Sequence, residues 1–334
     1  MIKEAMFYEK LDNNKVRCYL CAHQCQILPE KFGLCRVRQN QNGKLFSLVY
    51  GRAIASGVDP IEKKPLYHFL PGTLSYSIAT AGCNFKCGFC QNWQISQKSA
   101  IDSQDQAKLL EPQEIVNQAK LYKCKSISYT YTEPTIFFEY AYDTAKLAKA
   151  QGLYNIFVTN GYMTKAPLDA LRPYLDAVNV DLKSFREEFY LKNCQAHLKP
   201  VLDSIRYLKE LGIWIEITTL IIPGQNDSQQ ELSELAGFIA GVGKDIPWHL
   251  SRFHPDYKFS DYESTSLASL NKAQNLGQEA GLRYIYLGNV LEDCPTYCYN
   301  CKQLIINRSY FRASDIKIKQ GKCSFCNSKV EGVF

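Results

Sequence analysis

From about residue 73 onward the chain alternates two patterns: short runs of β-branched and aromatic residues, and longer stretches in which apolar positions recur every three or four residues. The first kind reads as strands and the second as helices, so the alternation predicts a parallel sheet built from repeated strand and helix units. The expected strands are LSYSIAT (74–80), SISYTYT (126–132), YNIFVTN (154–160), AVNVDLK (177–183), IWIEITTLII (213–222), PWHLSR (247–252) and RYIYLG (283–288). Between them lie helical stretches such as EPQEIVNQAKLY and TIFFEYAYDTAKLAKAQ. In the latter, Ile136, Tyr140 and Leu147 recur near the 3.6 period and should face the sheet. The fold class is therefore α/β, a barrel or partial barrel.

In parallel barrels the site lies at the C-terminal ends of the strands. Here those ends run into Cys83, Glu133 and Pro134, Asn160 and Gly161, Asp181 and Lys183, Pro223 and Gly224, the approach to His254, and Gly288 with Asn289. Successive side chains of a strand alternate faces, which puts Ser128, Thr130 and Thr132 on one side of their strand. The same alternation groups Asn179, Asp181 and Lys183, and Glu216 with Thr218. A closed barrel fills its interior with branched apolar residues, so a polar inner face predicts an open barrel around a polar cofactor. The alternative is that these residues face solvent at a sheet edge.

Composition narrows the class. A chain of 334 residues with 46% hydrophobic content has enough material for a sizeable core. The N-terminus mixes acids and bases without an apolar run, and no apolar window approaches the ~20 residues that span a bilayer. The expectation is a cytoplasmic protein with no membrane partner. The net charge of +6 permits an acidic or nucleic-acid partner without arguing for one. The 14 cysteines in a long chain with ample core point to metal rather than to disulfides. Cys124 and Cys194 stand alone and read as small buried residues.

The remaining cysteines form three groups. Cys83, Cys87 and Cys90, in CNFKCGFC, offer three thiols directly after a strand, with no fourth nearby. Cysteine-held iron–sulfur clusters usually take four thiolates, so three suit a [4Fe-4S] cluster with one iron left open to a ligand that is not protein. Radical chemistry with S-adenosylmethionine (SAM) needs that arrangement. CPTYCYNC repeats the spacing at Cys294, Cys298 and Cys301, but Asn300 stands where an aromatic residue precedes the last cysteine of the first loop, Phe89, and too little chain follows for a barrel. Cys298 and Cys301 instead pair with Cys323 and Cys326 as two CxxC motifs, the pattern of a zinc ribbon, which leaves Cys294 spare. Cys18, Cys21, Cys25 and Cys35 could close a zinc site or hold an auxiliary iron–sulfur cluster, with tetrahedral sulfur ligation favouring zinc and His23 able to replace a sulfur.

The order of motifs resembles the radical SAM enzymes related to the activating enzymes of pyruvate formate-lyase, and specifically the AmmeMemoRadiSam system radical SAM enzymes. It is carried by CYLCAHQC, GLCRVR, DPIEKKPLYHFLPG, CNFKCGFCQNW, YTYTEPTIFFEY, VTNGY, NVDLKSF, LIIPGQND, PWHLSRFHPDYK and YLGNV. The resemblance implies a partial (β/α)6-type barrel at 73–290 between a Cys-rich N-terminal module at 1–72 and a zinc-ribbon-like module at 291–334. It implies that Cys83, Cys87 and Cys90 hold the catalytic cluster beside Phe89. Thr132 and Glu133 would meet the SAM ammonium, Asp181 the ammonium or ribose and Lys183 the carboxylate, with a plain salt bridge between Asp181 and Lys183 as the alternative, and Asn160 and His254 would contact SAM or substrate in the lumen. Tyr131 and Thr132 replace the glycine pair usual before the glutamate.

The reaction so implied is reductive cleavage of SAM and hydrogen abstraction from a protein or peptide substrate. Memo-like and AMMECR-like proteins would be partners, and a flavodoxin or ferredoxin the electron donor. A second reading is an RNA-modifying radical SAM enzyme. Residues 291–334 carry more basic than acidic side chains, and Tyr297, Tyr299, Tyr310 and Phe311 could stack on bases. A third is a non-enzymatic electron-transfer or scaffold protein, against which Glu133, Asp181 and Lys183 argue.

Overall fold

A computed structural model describes residues 2–334. Its centre is an eight-stranded sheet in which the strands lie side by side in chain order. We number them β1 (Ala55–Pro60), β2 (Leu74–Ala79), β3 (Ser126–Tyr129), β4 (Tyr154–Thr159), β5 (Ala177–Asp181), β6 (Trp214–Ile221), β7 (Trp248–Arg252) and β8 (Ile285–Gly288). β1 pairs antiparallel with β2, and every other pairing is parallel, so the sheet is mixed. The main connecting helices are α1 (Pro112–Leu121), α2 (Phe138–Ala150), α3 (Lys165–Leu171), α4 (Leu198–Glu210), α5 (Gln229–Val242) and α6 (Leu267–Glu279). Strands in chain order with right-handed connections place all their helices on one face.

The apolar stripe of α2 makes that packing concrete. Tyr140, Ala141, Ala145 and Ala148 are buried, as is Ile136 just ahead of the helix, while Leu147 is half-buried at its edge. The seven strands expected from the pattern are all present, each within three residues of its expected ends. β1 was not expected. ASGVDP carries a glycine and ends in proline, which suits only an edge strand and gives no alternating signal. The central sheet thus begins at residue 55, ahead of the boundary expected at residue 72.

The other face of the sheet is polar and buried. Ser75, Ser77, Ser128, Asn179, Glu216, Thr218 and His249 are all at most 9% exposed, so these residues do not face solvent at an edge. Much of that face is covered by residues 61–70. The Tyr67 and His68 amides donate to Glu216 at 2.7–3.0 Å, and Asn179 donates to the Pro65 carbonyl at 2.8 Å. A buried carboxylate requires such donors, and here the chain itself supplies them. The polar face therefore has two uses: one part seats this segment, and the rest borders a cavity.

Before β1 lie two small antiparallel sheets, Lys3–Glu4 with Arg38–Gln41 and Lys44–Ser47, and Tyr8–Lys10 with Val16–Cys18 and Gln26–Ile27. After β8, short strands at Thr296–Tyr297, Leu304–Ser309 and Arg312–Ser314 form one sheet, and Ile318–Lys319 pairs with Lys322–Cys323. Among the described residues, no helix is long and apolar enough to cross a membrane.

Candidate functional site

A cavity of about 550 Å³ opens at the C-terminal ends of the strands. Cys83, Cys87 and Cys90 form part of its wall, together with Phe89, Thr132, Glu133, Asn160, Asp181 and Lys183. Residues spread over a hundred positions of sequence are gathered by one geometric fact, that parallel strands end on the same side. His254 is not among them. It is exposed in the loop after β7, and the histidine that borders the cavity is His249, the second residue of β7. His249 is buried, and its Nε2 lies 2.7 Å from Glu216. Position on the strand decides the difference, since His249 falls within it and His254 beyond it.

The three-cysteine loop is shaped by close backbone contact. The amides of Lys86 and Gly88 donate to the carbonyls of Cys194 and Asn193 at 2.9 and 3.1 Å. A Cβ on Gly88 would come within 2.8 Å of Phe259, so only glycine fits. Phe89 is buried between Phe189 and Phe259, with ring centroids 5.7 and 5.6 Å away. Burial pushes Cys83 and Cys90 up from the usual thiol range. A hydrogen bond with the Cys194 thiol, then burial, does the same to Cys87. Thiols so placed become thiolates only when a cationic centre binds them. Cys194 is thus no isolated core residue, although nothing in the sequence spacing ties it to this loop.

Glu133 follows β3 and is 2% exposed. Its Oε1 accepts from the Thr135 amide and hydroxyl and from the Thr159 hydroxyl, and its Oε2 accepts from the Asn160 amide at 2.7 Å. Burial pushes its pKa up against those hydrogen bonds. The Thr132 hydroxyl donates to the Thr80 carbonyl at 2.8 Å. The Asn160 side-chain amide donates to Asn84 Oδ1 at 2.7 Å, joining the end of β4 to the cysteine loop. Lys183 Nζ lies 2.8 Å from Asp181 Oδ2. Burial pulls Lys183 down, but Asp181 and the nearby thiols outweigh it and hold its pKa well above the usual value.

Tyr131 occupies a backbone conformation that glycine normally supplies, with φ at +63°. Such a residue costs about 1–3 kcal/mol and persists only where its surroundings hold it. Its hydroxyl donates to Asp59, and Lys64 Nζ sits 4.5 Å over its ring. The side chain therefore fixes the turn where a glycine would merely allow it. Glu62, Tyr67, Thr218 and Phe311 also border the cavity. Of these the polar-face pattern marked Thr218, and the aromatic content of the C-terminal stretch marked Phe311. Glu62 and Tyr67 lie in DPIEKKPLYHF, a segment without periodic signal.

The other cysteine groups lie elsewhere. The Cys298, Cys301, Cys323 and Cys326 sulfurs are all within 4.8 Å of one another, and Cys294 stands apart, its thiol donating to the Leu287 carbonyl at 2.8 Å. Cys18, Cys21, Cys25 and Cys35 border a second, smaller cavity.

Comparison with known proteins agrees with this geometry. Residues 77–236 match the Radical SAM superfamily. The chain is 45% identical, over 99% of both sequences, to "Uncharacterized protein MJ0808" of Methanocaldococcus jannaschii. It is 28% identical to the pyruvate formate-lyase-activating enzyme of Listeria monocytogenes over 51% of this chain and 70% of that one. Among solved structures, a radical SAM methyltransferase from Sphaerobacter thermophilus shares the fold, with a TM-score of 0.51, 18% identity, and coverage of 66% of this chain and 67% of that one.

Proposed function

The chain belongs to the radical SAM superfamily and is an enzyme homologous to its activating enzymes, and from that premise we propose that it abstracts hydrogen from a protein or peptide substrate after reductive cleavage of SAM. The observation that carries this reading is the single cavity walled both by Cys83, Cys87 and Cys90 and by the polar strand ends Glu133, Asp181 and Lys183. Its volume lies within the range of small-molecule sites, and its donor set of three thiols with paired cation and carboxylate fits a [4Fe-4S] cluster and an amino acid ligand. When bound, these supply a labile sulfur–carbon bond and the 5′-deoxyadenosyl radical that takes the hydrogen.

The chain's own residues hold and orient. Glu133 Oε2 accepts one bond within the protein and has a lone pair free for the SAM ammonium. Thr132 donates to Thr80 and can accept from the same ammonium. Lys183 would meet the SAM carboxylate, while Asp181 Oδ1, unused by Lys183, would accept from a ribose hydroxyl. Asn160, bonded to Asn84, keeps the loop at a fixed distance from β4. We read the parallel strands β2 to β8 as a partial (β/α)6-type barrel at 73–290, with β1 of the preceding module at 1–72 added to its edge and a further module at 291–334. The C-terminal module would carry zinc, because Cys298–Cys326 and Cys301–Cys323 are each 3.7 Å apart. The edge of a sulfur tetrahedron at a zinc–sulfur distance of about 2.3 Å is about 3.8 Å.

A protein or peptide is favoured because the chain is similar to pyruvate formate-lyase-activating enzymes, whose name gives another enzyme as their target. The test is the yield of 5′-deoxyadenosine from the reduced, anaerobically reconstituted enzyme with protein and RNA fractions of its own cells added separately. Stimulation by protein is expected, with Memo-like and AMMECR-like proteins as the first to add singly. Stimulation by RNA alone would replace this substrate class by the RNA-modifying one. Cys83→Ala, Cys87→Ala and Cys90→Ala should each abolish the product, while Cys326→Ala should leave unstimulated cleavage intact; equal loss in both sets would remove the division of labour.

A further inference from the structure

Four thiols in a small module first suggest zinc, and the N-terminal quartet does not have the shape that zinc requires. A single ion bonded to four sulfurs at about 2.3 Å draws them to within about 3.8 Å of one another. The C-terminal quartet has that geometry. Cys18, Cys21, Cys25 and Cys35 do not: among the described residues, the C-terminal set is the one whose ligand atoms all fall within 4.8 Å of each other. The radical-loop cysteines, Cys83, Cys87 and Cys90, are spread in the same way. What the N-terminal sulfurs share is a cavity, which all four border.

Their spacing is held by the surrounding chain. The Cys18 amide donates to the Cys25 carbonyl at 3.0 Å, which turns the intervening residues into a loop. A second turn, from the Arg36 amide to the Gly33 carbonyl at 2.9 Å, brings Cys35 round to face it. Gly33 points its missing side chain between two sulfurs: a Cβ there would lie 3.8 Å from both Cys25 Sγ and Cys35 Sγ. On the far side Arg38, 1% exposed, directs Nη1 at Cys18 Sγ from 3.8 Å. The sulfurs thus border one space, with a buried guanidinium, paired to Glu139, directed at one of them.

We propose that this cavity holds a [4Fe-4S] cluster, with each of Cys18, Cys21, Cys25 and Cys35 bonded to its own iron. Thiolates on separate irons stand farther apart than thiolates on one zinc ion, which is the difference seen between the two quartets. The guanidinium donor to Cys18 is of the kind that adjusts cluster potentials through sulfur hydrogen bonds. The site also touches the radical loop, since Asn84 borders the same cavity and its carbonyl lies 2.8 Å from His23 Nε2.

The test is a metal and sulfide count on the full-length chain carrying Cys83→Ser, Cys87→Ser and Cys90→Ser, purified and reconstituted without oxygen, so that the radical loop can hold no cluster. The expected result is about four irons and four sulfides per chain together with about one zinc, and a reduced-state electron paramagnetic resonance signal. Adding Cys18→Ser and Cys25→Ser should remove the iron and leave the zinc, whose retention shows that the C-terminal module is still folded. About two zincs and no iron would overturn the proposal, as would about two irons with two sulfides or an N-terminal site without metal. The count needs neither SAM nor substrate, so its failure would leave the reading of the radical loop standing.

Discussion

The two cysteine quartets offer the same donors at opposite ends of the chain and arrange them differently. At the C-terminal end two CxxC turns face each other, and the sulfurs meet in pairs at 3.7 Å. At the N-terminal end the spacing runs from Cys18 through Cys21 and Cys25 to Cys35, and the last cysteine arrives from a separate turn. A glycine and an arginine lie between the thiols or beside them, and the sulfurs ring a cavity. Ligand type alone therefore does not choose the metal. The packing that sets the distance between ligands enters as well, and it differs between the two ends.

A buried arginine lies in each terminal module, beside the quartet at Arg38 and in the strand after Cys301 at Arg308. Arg38 bonds Glu139 directly and donates to the Met6 carbonyl at 3.1 Å. Arg308 donates to Thr296 and to the carbonyls of Tyr67 and Cys294, and its Nε stays 3.9 Å from Glu62. The N-terminal seat thus contains a close ion pair, whereas Arg308 gives its hydrogen bonds to neutral groups and keeps its carboxylate neighbour at 3.9 Å.

The two quartets should part most clearly when metal is removed from each selectively. Treatment with a zinc chelator should release about one zinc per chain and leave N-terminal iron in place, while air exposure should bleach iron and spare zinc. Loss of both metals under one treatment, measured by elemental analysis, would erase the contrast. Next in size are the arginines. Arg38→Ala strands the buried Glu139 carboxylate and should cost about 3–5 kcal/mol in urea unfolding. Arg308→Ala should cost about 1–3 kcal/mol, the loss of charged hydrogen bonds alone. The reverse order would mean that Glu62 depends on Arg308 more than 3.9 Å implies.

Acid should act on the C-terminal seat through His68. Its ring is fully buried between the Glu331 carbonyl and the Tyr286 hydroxyl, and burial pulls its pKa down to about 4. The unfolded chain therefore binds a proton first as pH falls. The contribution is complete above pH 6.5 and is lost on the way down to about 4, a change of about 3 kcal/mol. His68→Gln should flatten the pH dependence of stability across that window, and an unchanged slope would show that other groups carry it. The smallest effect is expected at Gly33→Ala, where the new methyl would also crowd Ile27 at 3.3 Å. It should lower N-terminal iron occupancy by a fraction and leave zinc untouched.

Much of this architecture was legible in the sequence, for reasons that vary by region. The parallel strands carry their own β-branched pattern, so they could be located to within a few residues. β1 has no such pattern and acquires its place from β2. Glu133, Asp181 and Lys183 could be placed at the cavity because strand ends are readable and parallel strands end together. His254 could not, because a few residues beyond a strand the chain is free to turn outward. Cys194 and Glu62 were hidden for the complementary reason, one brought to the three-cysteine loop and the other to the cavity by contacts that no local pattern records.

Sequence by itself determined which atoms are available, namely the three-thiol loop, the two quartets, and the alternation that sends polar side chains to one face of the sheet. Tertiary structure decided distances. It filled part of the polar face with residues 61–70, left the remainder as a cavity, set one quartet on a point and the other around a space, and spent the Tyr131 hydroxyl on Asp59. Periodicity is a property of neighbours along the chain and survives in one dimension. The separation of two sulfurs or the partner of a buried carboxylate depends on segments far apart in sequence, and is fixed only when the core has closed.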